Sequence, residues 1–343
     1  MRFRLLFAIL LCHLPSQAEN VFAPWLTDNP PKVVETVARE VVEGVEVTRL
    51  KWLNRVDAKT GREVIIYGIV ARPASPGPHP GVLVCHGGGG YADQVKPQVI
   101  GWAKKGYVAV CQDQPGICNA QLGSSSGPCF ERGPFTVVDH PADAALFDGV
   151  VAALNGLALL RSQPDVDRQR IGVTGGSWGG YMTTMVTGLA GERVKAAFSV
   201  FGCGFYDVGS TWQSDLNRLT PERRAIWLEH LDAGRRAANV RAAYMVASPL
   251  NDWFFWPSAV TRTYETITAP KNICFMPNDS HVLTQPGGTA GPPEFERRAN
   301  RTWMEQVWLN HHLKGEGEAF PTASAAAVVG REGHAVRVRF RAG

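Results

Sequence analysis

The chain has 343 residues, 45% of them hydrophobic and 19% charged, with a formal net charge of +4. That balance suits a soluble globular protein with a substantial core, built as one large α/β domain or two small ones. The charge is too small to argue for nucleic acid or an anionic membrane as a partner, the more so because Arg2 and Arg4 sit in a stretch expected to be removed.

That stretch is Met1 to Ala18. Arg2 and Arg4 make a basic start, Leu5 to Leu11 an apolar run, and Ser16-Gln17-Ala18 supplies small residues where a signal peptidase needs them. The run is too short to span a bilayer. The pattern predicts a signal peptide over residues 1–18 and an exported protein, periplasmic or secreted. Residues 19–343 are then read as a single domain. Of the remaining cysteines, Cys85, Cys111, Cys203 and Cys274 lie in or beside apolar runs and read as small buried hydrophobes. Cys118 and Cys129 flank a Gly- and Ser-rich loop, a spacing open to a disulfide in an oxidising compartment.

Val45 to Trp52 and Glu63 to Ala71 are rich in β-branched residues and predict an N-terminal β-hairpin. After the Pro- and Gly-dense loop from Pro73 to Pro80, Gly81 to Cys85 is a short apolar run of the kind buried on both faces of a sheet. Strands at Tyr107 to Cys111, Arg170 to Thr174, Val194 to Val200, Ala242 to Ala247 and Lys271 to Met276 alternate with helical stretches. The helices are predicted around Lys96 to Lys105, Asp143 to Arg161, Tyr181 to Ala190 and Phe295 to Leu313. The alternation predicts an α/β fold with a mostly parallel central sheet and helices on both faces. Pro221 to Ala238, inside a helical insertion over residues 210–240, is either a lid or a solvated surface helix. Val328 to Phe340 alternates apolar and polar residues around Gly330 to Gly333 and predicts a short C-terminal β-hairpin.

The most informative segment runs from Ile171 to Met182: an apolar strand, a glycine-flanked serine, then a helix start. Gly175, Ser177 and Gly179 fit G-x-S-x-G. In that pattern the serine sits on a strained turn with its hydroxyl pushed into the open, and the glycines remove Cβ atoms that would collide across the bend. A serine hydroxyl is a weak nucleophile and needs a base in contact and a group that orients the base. On such an elbow the chain order is serine, acid, histidine. Asp252 follows the strand ending at Ala247, and His281 follows the strand ending at Met276. Asp207 is a second-choice acid and Asp279 reads as a turn residue, while His230, His311, His312 and His334 read as surface or interfacial histidines.

The oxyanion hole is expected from the backbone N–H of Trp178, directly after the nucleophile, and from the loop His86-Gly87-Gly88-Gly89-Gly90, with Gly88 as the donor. Gly87, Gly89, Ala92 and a later Asp113 nearly fit a dinucleotide fingerprint, but the helix is expected to begin near Lys96, too late to hold a pyrophosphate. Tyr91 and Trp253 are the aromatics expected to line a substrate pocket. No HExxH, paired CxxC or phosphate-binding lysine loop is present, so neither a metal nor another cofactor is implied.

These residues resemble the α/β-hydrolase superfamily, and within it the branch of acetyl xylan esterases, dienelactone hydrolases and prolyl oligopeptidase catalytic domains. His86-Gly87-Gly88, Asp165-Val166-Asp167, the elbow from Gly175 to Met182, Asn251-Asp252 and Ser280-His281 carry the likeness, which covers roughly residues 81–314. Only a short N-terminal region without blade-like repeats precedes it here, which weighs against an oligopeptidase. Trp178 stands where acetyl esterases of the branch often have another residue. The resemblance implies a serine hydrolase cleaving carboxylic esters through an acyl-enzyme, with a small-molecule or carbohydrate ester as substrate. A serine peptidase acting on short peptides and a non-catalytic binding protein on the same scaffold are the alternatives.

Overall fold

The computed structural model describes residues 20–276, 279–281, 294–320, 323–332 and 335–342. The predicted signal peptide, the turn of the C-terminal hairpin and His334 lie outside the described residues. Among those described, no helix is long and apolar enough to cross a membrane.

The hairpin expected at the N-terminus is part of something larger. Strand β1 (Val33–Val42) pairs antiparallel with β2 (Val45–Val56), and β2 with β3 (Glu63–Pro73). Strand β3 then joins β5 (Val108–Gln112), again antiparallel. From β5 onward the sheet is parallel, through β4 (His79–Cys85), β6 (Val166–Gly176), β7 (Ala196–Val200), β8 (Ala243–Pro249) and β9 (Lys271–Met276). The result is one nine-stranded sheet in the order β1-β2-β3-β5-β4-β6-β7-β8-β9. Strand β1 is not legible in the sequence because most of its residues are exposed and carry no period-2 signal. Strands β10 (Ala323–Glu332) and β11 (Ala335–Ala342) form a separate two-stranded antiparallel sheet, longer than the predicted hairpin.

Helices cover both faces, and neighbouring residues of β6 show how. Successive side chains of a strand point to opposite faces. Ile171 shares its face with Leu160 of α2 (Ala145–Arg161), both closing over Gly81 of β4. Gly172, on the other face, leaves room for Leu309 and Leu313 of α7 (Glu294–Lys314). Helix α2 is buried along its whole length, as is α3 (Trp178–Ala190), as expected of helices without a polar stripe. Helix α1 runs over Ala92–Lys104 and starts earlier than predicted. Its first N–H, that of Ala92, is held at 2.8 Å by the carboxylate of Asp113, a cap supplied from β5's end and invisible in local sequence. The late start therefore no longer argues against a nucleotide. What does is Asp113 itself. It is fully buried and occupied by Ala92 N–H, Ser124 N–H and the Ser125 hydroxyl, so it is not available to a ribose.

The proposed pairing of Cys118 with Cys129 is not found. Both are free thiols, Cys129 sunk in the core within a 3-10 turn and Cys118 half-buried.

Asp143 ends a short 3-10 turn (Pro141–Asp143) just ahead of α2. Its Oδ2 accepts N–H groups from Val138, Asp139 and His140, and its Oδ1 lies 2.6 Å from Lys59 Nζ. Burial pushes its carboxyl up, but Lys59 and the three N–H groups outweigh burial and bring it to about 2 against an ordinary 3.8. A depressed carboxylate stabilises the fold above its unfolded value, and that contribution fades as pH falls through the folded value. Asp143→Asn should therefore cost about 1 to 2 kcal/mol at neutral pH after solvent screening of Lys59. The gap to wild type should close between about pH 4 and pH 2, as read from urea midpoints across that range.

Candidate active site

All parallel strands present their C-terminal ends to one edge of the sheet, the edge where sites form in open α/β folds. Ser177 sits there between β6 and α3, with φ 59° and ψ −124°, a positive φ rare for a residue with a side chain. Its N–H donates to Val200 O and its carbonyl accepts from Gly180 and Tyr181. The glycines on either side answer to the neighbouring backbone. A Cβ on Gly175 would lie 2.5 Å from Gly179 O, and one on Gly179 would lie 2.2 Å from Cys85 O. Any larger residue at either position would force β4, β6 and α3 apart at the turn.

The two downstream residues come from the next strand ends. Asp252 follows β8 and His281 follows β9, whose ends pair at Pro249 and Met276. Leu250 N–H donates to Met276 O and Asn251 N–H to Asp279 O, which ties the two loops together. His281 Nδ1 lies 2.9 Å from Asp252 Oδ2 and 3.1 Å from Oδ1, and its Nε2 lies 2.8 Å from Ser177 Oγ. The Asp252 side chain is fully buried. Its Oδ1 also accepts the N–H groups of Phe254 and Phe255, so the carboxylate is fixed before it meets the imidazole. With Nδ1–H donated to Asp252, the Nε2 lone pair faces the serine hydroxyl.

The other candidates are elsewhere. Asp207 pairs with Arg235 at 2.9 Å. Asp279 accepts Ser280 N–H on its Oδ1, as a turn residue does. His230 is flanked by Glu229, and His311 and His312 lie on α7. His312 packs against Trp308, and burial holds its imidazole down at about 4. Among the described residues no group of three His, Cys, Asp or Glu side chains is disposed to hold a metal ion.

Gly88 lies against the indole of Trp178, where a Cβ would approach Cδ1 to 2.7 Å. Within the loop, Gly89 N–H donates to Ile117 O and Gly90 N–H to Gly87 O. The N–H groups of Gly88 and Trp178 donate to no backbone acceptor among the described residues. The loop is stapled from below by His86, whose part was not anticipated from sequence. Its buried ring accepts Gln114 N–H on Nε2 at 3.0 Å and donates Nδ1–H to Gly87 O at 2.8 Å. Burial lowers its pKa, which keeps that neutral, two-handed state.

Ser177, His281 and Gly88 open into a cleft of about 430 Å³ whose walls include Trp178, Trp212, Phe254 and Pro134. Neither Tyr91 nor Trp253 is among its lining residues; Trp253 stands on the rim, 6.4 Å from the His281 ring by centroids. Trp212 and Phe254 stack at 5.6 Å. Trp212 precedes α4 (Gln213–Asn217), and α5 (Pro221–Leu231) buries Trp227, whose indole N–H donates to Pro134 O. The insertion thus packs behind the cleft wall. The clue in sequence was its tryptophans, which a solvated helix does not need.

The sequence matches the dienelactone hydrolase family over residues 66–229. It is 26% identical over 272 residues to the acetyl esterase Axe7A of Xylanibacter ruminicola, across 75% of this chain and 58% of that enzyme. The chain therefore spans less than two thirds of that relative's length. The fold is similar to an acetyl xylan esterase from Paenibacillus sp. R4, with TM-score 0.62, 21% identity and coverage of 83% of this chain and 91% of that one. It is also similar to acetyl xylan esterase 1 from Thermoanaerobacterium sp. JW/SL YS485, with TM-score 0.60, 20% identity and coverage of 83% and 92%. Porphyromonas gingivalis dipeptidyl peptidase 4 shares the fold at TM-score 0.52 and 19% identity, over 75% of this chain and 35% of the peptidase. With its mixed sheet, two-faced helical cover and these neighbours, the chain has an α/β-hydrolase-like fold and is similar to the dienelactone hydrolase family and to acetyl xylan esterases.

Proposed function

We propose that the chain is an exported carboxylic ester hydrolase acting on acyl groups carried by small alcohols or carbohydrates. The observation that carries this reading is the hydrogen-bonded line from Asp252 through His281 to Ser177 at the mouth of the cleft. His281 Nε2 takes the proton from Ser177 Oγ as that oxygen attacks the ester carbonyl carbon. Asp252 holds the ring and stabilises the imidazolium. The carbonyl oxygen becomes an oxyanion facing the N–H groups of Gly88 and Trp178, the latter at the positive end of α3. His281 returns the proton to the departing alcohol, leaving an acyl-serine. A water activated by the same imidazole then releases the acid. Export rests on the leader-like residues 1–18, and residues 19–343 act as one domain.

The test is a substrate panel on the mature chain with a fluorophosphonate label. Labelling at Ser177 and turnover of nitrophenyl acetate and acetylated sugars, with aminoacyl anilides much slower, is the expected result. Faster cleavage of the anilides would make the protein a peptidase. A chain that neither labels nor turns over any member of the panel would be a binding protein on a hydrolase scaffold.

A further inference from the structure

Between Asp252 and α6 (Pro257–Thr266) the chain reads Trp253-Phe254-Phe255-Trp256. Phe255 is buried and Phe254 lines the cleft. Trp253 is 48% exposed and Trp256 39% exposed, although tryptophan is among the residues that gain most from burial. Trp253 is held firmly all the same. The turn beneath it is fixed by two N–H bonds to Asp252, and its carbonyl accepts the indole N–H of Trp256. Its ring centroid lies 5.7 Å from that of Phe254 and 6.4 Å from that of His281.

That position is informative because of what His281 does in the reading above, on which this inference rests. The imidazole Nε2 hands its proton to the departing alcohol. A flat surface on the rim beside the same imidazole is therefore within reach of the alcohol part of a substrate that outgrows the cleft. The segment that carries Trp253 is neutral. From Asn251 to Pro257 the only ionisable side chain is Asp252, which is buried and occupied by His281 and two N–H groups. A charged headgroup finds no counter-charge in this segment. An indole face with an N–H edge instead suits a ring that is apolar on its faces and hydroxylated at its edge.

The geometry points to Trp253 as a stacking platform for the pyranose ring of the leaving alcohol, a specificity-determining residue outside the cleft. The probes are a mono-O-acetylated pyranoside, ethyl acetate and phenyl acetate, assayed with wild type, Trp253→Ala and Trp253→Phe. Alanine should lower the ratio of kcat/KM for the pyranoside to that for ethyl acetate by about tenfold, chiefly through KM, and phenylalanine should restore most of it. An unchanged ratio would remove the platform while leaving the ester-hydrolase reading intact. An equal fall for phenyl acetate would replace the sugar by any flat alcohol and overturn the proposal. A wild type inactive on all three esters would end the underlying reading, and this inference with it.

Discussion

Ser177→Ala should lower kcat/KM toward a short-chain ester by about 10^4-fold or more. Only the hydroxyl is lost. The positive φ at Ser177 is set by Val200, Gly180 and Tyr181 through backbone hydrogen bonds, none of which involves Oγ. The variant should therefore unfold at the wild-type denaturant midpoint while failing to react with a fluorophosphonate. A variant with reduced stability and proportionate loss of rate would mean that the elbow is structural. A stable variant of near wild-type rate would mean that another nucleophile serves the cleft. The prediction separates position from chemistry because His281 keeps its two bonds to Asp252 in either case.

The legible parts of this site are those whose physical cause is local or ordered along the chain. Gly175 and Gly179 announce the elbow because both answer to one tight bend within five residues. Asp252 and His281 each follow a strand end, a placement legible in sequence because a parallel sheet sends every strand end to the same edge. What escaped is long-range. Asp113 starts α1 from the far side of a loop, so no capping residue beside Ala92 reveals it. Pro134 is held by the indole N–H of Trp227, on which Phe135 stacks, and Trp212 stacks on Tyr206, a packing arrangement assembled from separate segments. Tyr91 and Trp253 are near these positions in sequence, whereas the residues lining the cleft are brought together in space from several segments. The edge strand β1 was missed for the opposite reason: it is barely buried, and burial is what writes periodicity into a strand.

Away from the site, Asp148→Ala should cost about 3 to 5 kcal/mol. Arg55 on β2 meets Asp148 in the first turn of α2 through two bonds, Nε to Oδ1 at 2.6 Å and an NH2 nitrogen to Oδ2 at 2.8 Å. The side chains are 8% and 0% exposed, so neither charge is served by water. Arg55 also reaches Asp57 at 3.2 Å, but Asp57 already takes Arg132 at 2.8 Å. With Asp148 gone, the buried Arg55 and the half-buried Arg132 share one carboxylate, and most of the cost is the charge left on Arg55. Replacing both partners, Arg55→Met with Asp148→Leu, should therefore recover much of the loss, which a double-mutant cycle on urea midpoints would measure. A double variant as unstable as the single one would show that shape at the β2–α2 contact, and not the stranded charge, sets the penalty. Since α2 packs on β4, β5 and β6, the strands that carry the glycine loop and the elbow, loosening this clamp should lower the temperature at which activity is lost while leaving kcat in the cold near wild type. That pattern is opposite to the one expected at Ser177, where rate collapses and stability holds.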